Sequence, residues 1–234
     1  MSAPGRSAVV RGGVEPTWGL IDAVMAVLIA LVGSSIVAGL VVEKGADPTL
    51  AQQFLINIPL WASLGLVPIW ATIRKGNGPV QDLGFRFQPV DALIGLVAGT
   101  ALQLGVVDGA YWVLRGVYSR DEVEEPARKL AGAAHGSGWA ILLVMVLVMA
   151  PVIEELFYRG LVMRSLDRHM PRWASVLLTA LLFAVMHFQS VQLLGLLLFG
   201  IACGALVQWT GRLGTSIATH LVFNAWAVWQ VRGR

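Results

Sequence analysis

Apolar residues along this chain neither alternate nor keep to a narrow helical stripe. They come in long runs separated by short polar segments, at roughly 18–42, 49–73, 91–114, 139–160, 172–188, 190–209 and 213–231. A helix needs about 20 such residues to cross a bilayer, so the pattern predicts seven spans, or eight if one run is split. No strand-like alternation competes with the runs, and an open sheet would leave its backbone unsatisfied in lipid. No repeat with a period of 20–50 residues stands out. The expected fold is all-α: a polytopic transmembrane helical bundle of about seven to eight spans forming one membrane domain. Residues 1–17 read as a polar, disordered tail, 18–138 as N-terminal transmembrane helices and loops, and 139–231 as a core that holds most of the unusual polar residues.

Composition supports the same reading. The 234 residues are 56% hydrophobic and only 13% charged, against about a quarter charged in soluble domains. The net charge of +3 does not point to nucleic acid. The basic residues sit mainly in loops between apolar runs, and no basic stripe interleaves with aromatics. Under the positive-inside rule, the N-terminus, the Arg74–Asp91 loop and the Arg164–Trp173 loop are assigned to the cytoplasm. The first apolar run is too long for a signal-peptide core and reads as an uncleaved anchor. Cys203 is the only cysteine, which excludes an internal disulfide and a multi-cysteine metal site. The small residues of Gly95–Gly99 and Gly200–Gly204, four apart, allow close helix approach.

Charge inside a span costs about 2.5–3.5 kcal/mol at the helix centre, so polar residues within the apolar runs call for a reason. They are Asp22, Asp108, Glu154, Glu155, His187, His220 and Asn224, with Arg159 and Gln208 near run ends. Asp22 reads as a helix cap or a headgroup contact, and Asp108 as a cavity or interhelical residue. Glu154 and Glu155 are adjacent, so on a helix they point about 100° apart. Glu155 and Arg159 are four apart and can pair on one face, in a structural or orienting role. Glu154 is left without a local partner, and an unpaired carboxylate in a low-dielectric setting suits a general base. Pro151 cannot donate to the Leu147 carbonyl and is expected to kink the helix, making room for water.

A count of depth brings the remaining polar residues to the same place. Glu154 lies 16 residues before Met170, at the Met170–Pro171 turn, and His187 lies 17 after it. In an antiparallel pair both then stand roughly 25 Å from that turn. Asn224 rises about 20 Å from the turn near Gly211, with His220 one turn lower on the same face. Four polar residues from three helices therefore converge.

The motifs that carry them are Glu154–Arg159 (EELFYR, E-E-x-x-x-R), Phe183–His187 (FAVMH, F-x-x-x-H) and His220–Asn224 (HLVFN, H-x-x-x-N). In this order and setting the last hundred residues resemble the CAAX-protease and bacteriocin-processing family of intramembrane endopeptidases, which includes the type II CAAX prenyl proteases. The resemblance implies a peptide-bond hydrolase of the bacterial plasma membrane acting on a membrane-tethered peptide or protein. Glu154 and His187 would activate water, His220 and Asn224 would stabilise the oxyanion, and Glu155 and Arg159 would position the helix. Zinc held by Glu154, His187 and His220 is the alternative. However, there is no H-E-x-x-H, and Asn224 fits an oxyanion donor better than a metal ligand, so a mechanism without a cofactor is expected. Rival functions are a catalytically silent scaffold or immunity protein, and a small transporter or proton relay.

Overall fold

The computed structural model describes residues 15–232, apart from the side chains of Val107 and Asp108. Most of the expected N-terminal tail and the Asp108 side chain therefore lie outside what is described. Among the described residues there are helices and turns and no strand. Besides the short helical turns Pro79–Asp82 and Ser190–Gln192, the helices are α1 (Leu20–Val41), α2 (Leu50–Lys75), α3 (Pro89–Leu114), α4 (Arg120–Gly132), α5 (Gly138–Leu166), α6 (Arg172–Val185), α7 (Leu193–Thr210) and α8 (Leu213–Val231).

Helix ends follow from local chemistry. The Gly19 N–H donates to the Asp22 carboxylate, which also accepts from Lys75 Nζ at 2.6 Å, so Asp22 caps α1 and ties it to the end of α2. Thr49 with Gln52, and Ser119 with Glu122, form reciprocal capping boxes on α2 and α4. Asp91 accepts from the Gln88 N–H at the start of α3. Its carboxylate also binds Arg212 and Thr215, which joins α3 to α8. Gly211, at φ 69°, stops α7 in the left-handed conformation.

The chain pairs α1 with α2, α6 with α7, and α3 with α8, and α5 threads between these pairs. Residues Glu155 to Val162 of α5 are all buried. On the outside, Ile21, Val24, Leu28 and Val32 of α1 are exposed, as expected for a helix whose solvent is lipid. The α3–α8 pair is close because of glycine. A Cβ on Gly99 would stand 2.6 Å from the Thr219 carbonyl oxygen, and one on Gly95 2.6 Å from the Ala218 carbonyl carbon.

The bundle is polytopic, and among the described residues five helices are long and apolar enough to cross a membrane: α1, α2, α3, α5 and Ser190–Thr210. The other two of the seven expected runs differ for physical reasons. α6 has 14 residues, about 21 Å, less than the roughly 30 Å hydrocarbon core. α8 is 19 residues long, but His220, Asn224, Gln230, Ser216 and two threonines, Thr215 and Thr219, dilute its apolar character.

Candidate active site

The site begins with a change of helical register in α5. Over Val144–Met149 the helix is π-helical, and the Ala150 N–H reaches back five residues to the Met145 carbonyl. In this register the Val146 carbonyl faces Pro151, which has no N–H. The expected orphan at Leu147 is thus shifted to Val146, whose oxygen accepts Asn224 Nδ2–H at 2.9 Å. A backbone fault in α5 therefore orients the amide of a residue on α8. After one α-helical stretch, Ala150–Glu154, a second π-helical segment runs over Glu155–Val162, so Glu154 stands at the edge of an irregular stretch. Such bulges concentrate at functional positions.

Below Glu154 lies a fully buried ionic chain. Arg159 donates to Glu155 Oε1 at 2.8 Å and to the Gly200 carbonyl at 3.1 Å, and both side chains are 0% exposed. The same carboxylate oxygen lies 3.0 Å from His220 Nδ1. Glu155 therefore holds His220 as well as Arg159, a link that sequence spacing did not disclose. The Arg159 guanidinium also lies over the Phe183 ring at 4.6 Å, a cation–π contact in a desolvated setting.

Phe183 serves His187 too. Its ring packs against the imidazole at 4.5 Å between centroids, and its carbonyl is 2.7 Å from His187 Nδ1. A carbonyl can only accept, so Nδ1 carries the proton and a neutral ring presents a bare Nε2. α6 ends two residues before His187, and Phe188 adopts φ 52°, turning the chain sharply. Irregular backbone at this depth is tolerated where it lines a cavity.

The two imidazoles converge on one atom. Glu154 Oε2 is 4.0 Å from His187 Nε2 and 3.9 Å from His220 Nε2. Glu154, His187, His220 and Asn224 all line a cavity of about 350 Å³ that extends under α4. A second cavity of about 190 Å³, walled by Val27, Leu60, Trp61 and Leu64, reaches Glu154 and His187 from the α1–α2 side. All four residues singled out for chemistry thus share one space, with Glu155 and Arg159 packed behind it. Sequence reasoning missed Phe199, which packs on His220 at 4.8 Å. It also missed Asp167, which binds Ser175 and Gln208 and ties α5 to α6 and α7. Both look like ordinary members of their segments.

Zinc would need the three candidate ligands closer together. Tetrahedral bonds of about 2.0–2.1 Å place donor atoms about 3.4 Å apart, less than the 3.9 and 4.0 Å found here. Among the described residues no three His, Cys, Asp or Glu side chains are arranged to hold a metal ion.

The family model of the type II CAAX prenyl endopeptidase, Rce1-like, matches residues 136–226. The match runs from just before α5 into α8 and contains all six residues of the cluster. No curated protein and no solved structure matches the chain.

Proposed function

We propose, from the premise that residues 136–226 form a segment of the type II CAAX prenyl endopeptidase family, that the chain is an intramembrane endopeptidase whose nucleophile is a water held by Glu154 and His187. The observation that carries this reading is the 4.0 Å gap between Glu154 Oε2 and His187 Nε2 on the cavity wall. A water about 2.8 Å from each acceptor would subtend about 90° at its oxygen, close to its own H–O–H angle. It would donate one hydrogen to each group and leave a lone pair for the scissile carbonyl. Glu154 takes the proton as the water attacks and returns it to the leaving amine.

The oxyanion falls to α8. Asn224 Nδ2 has two hydrogens, and one is fixed on Val146. That contact aims the other as a preorganised donor. His220 donates from Nε2 when its ring carries both protons, with Nδ1–H on Glu155. Glu155 and Arg159 act as positioning residues. The substrate is a membrane-associated peptide or protein, either prenylated at a CAAX end or a tethered precursor, in a bacterial plasma membrane.

Glu154→Gln is expected to lower cleavage of a farnesylated CAAX peptide at least about 10³-fold in purified protein with an unchanged unfolding temperature. Cleavage at the wild-type rate would rule out this mechanism. Chelation is expected to leave the rate unchanged, with metal analysis finding less than one zinc per chain. Loss of activity on chelation and its return with zinc would overturn the water-only route. A variant set that binds the peptide but never cleaves it, wild type included, would favour the scaffold reading.

A further inference from the structure

Besides Glu154, His187, His220 and Asn224, the cavity is lined by amide side chains that the mechanism above does not use. Gln103, in the π-helical part of α3, is 4% exposed. Its Nε2 donates to Gln230 Oε1 of α8 at 3.1 Å. Its own Oε1 is buried and has no hydrogen-bond partner among the described residues. Gln189, two residues after His187, also has a buried Oε1 without a partner among them. Gln103, Gln189 and Gln230 all line the cavity.

Buried polar atoms in native proteins are almost always paired. Two buried orphan acceptors on residues that line the cavity call for a ligand rich in donors, and the main chain of an extended peptide supplies one N–H per residue. The spacing agrees. Gln230 is six residues beyond Asn224 on α8, about 9 Å along the axis, which about three residues of extended peptide would span. We propose that the Gln103 and Gln189 amide oxygens, with Gln103 braced by Gln230, form a peptide-docking subsite that accepts main-chain N–H groups of the substrate, Gln103 about three residues from the scissile bond and Gln189 nearer to it. This rests on the endopeptidase reading and adds specificity-determining residues to it.

The rival role is interhelical glue, since amide pairs also fasten helices in membranes. Ester analogues of the farnesylated CAAX peptide separate the two, because each ester removes one main-chain N–H and leaves the scissile amide intact. Binding is measured to the full-length Glu154→Gln protein, so no turnover is needed. One ester position is expected to lose about tenfold in affinity, and less than twofold when Gln103→Leu is also present. In the otherwise wild-type chain, Gln103→Leu with Gln230→Leu is expected to restore the unfolding temperature lost by Gln103→Leu alone. KM should nevertheless stay raised, with kcat within twofold. Absence of binding, equal ester losses with and without Gln103, or full recovery of KM in the double variant would overturn the subsite. Cleavage by the wild-type chain is scored separately. Cleavage without coupling rejects only the subsite, and coupling without cleavage rejects only the endopeptidase reading.

Discussion

Glu155 shows how one buried carboxylate can serve two partners. Its Oε1 accepts from Arg159 and faces His220 Nδ1, and the whole group is shut away from solvent. Removing Arg159 leaves a buried charge with a single imidazole contact. Arg159→Met is therefore expected to destabilise the fold by about 3–5 kcal/mol, read from unfolding in detergent. Glu155→Gln with Arg159→Met should recover most of that loss but not activity, because His220 would no longer be held by a carboxylate. Full destabilisation persisting in the double variant would mean that packing of the guanidinium on Phe183, and not charge, is what matters. The Glu155–Arg159 pair was legible in the sequence because four-residue spacing puts both on one face. The Glu155–His220 link was not, because the two lie 65 residues apart. Counting residues from turns gives depth to about one helical turn and says nothing of rotation about the axis. Phe183 was legible only as a motif letter, whereas its ring and carbonyl hold Arg159 and His187 together.

Among the elements, α5 departs most from a plain helix. The sequence marks its apolar run and its proline, so a fault near Pro151 is foreseeable. The π-helical registers on both sides of Glu154 leave no compositional trace, since one extra residue per turn changes neither apolarity nor length. That register decides which carbonyl loses its donor, and hence where Asn224 is anchored. Pro151→Ala supplies an N–H at the point where Val146 lacks one, in competition with Asn224. The variant is expected to keep its stability within about 1 kcal/mol and to lose about tenfold in kcat, as Asn224 swings free of its anchor. An unchanged kcat would show that the Asn224 amide is held by something other than the Val146 carbonyl. The early end of α6 was hidden for a related reason. Its apolar run continues through Phe188, and only the backbone turn at that residue brings His187 to face Glu154.

At the scale of the molecule, the helices distribute chemistry between two ends. The segments around Arg74, Lys75, Arg168 and Gly211 gather at one end. There Arg168 caps the carbonyls of Pro16 and Trp18, and the Trp18 indole donates to Asp82. The other end carries α4, whose inner residues Val123, Pro126 and Leu130 line the cavity that holds Glu154, His187, His220 and Asn224. Its outer face is laced by ion pairs such as Asp121–Arg128. This is the layout of a helix lying in the interface plane, apolar side inward. One candidate span, α3, separates Arg74 from Asp121, and as a span it places the two residues on opposite faces of the membrane. Because Cys203 is the only cysteine and is buried, its replacement by alanine gives a background for single-cysteine labelling. With the positive-inside assignment, Asp121→Cys is expected to react with an impermeant maleimide in intact cells and Arg74→Cys only in inverted vesicles. The reverse pattern would keep the bundle but turn the cavity toward the cytoplasm. Labelling of both from one side would contradict α3 as a span, and with it the placing of Gln103 on a helix that crosses the bilayer.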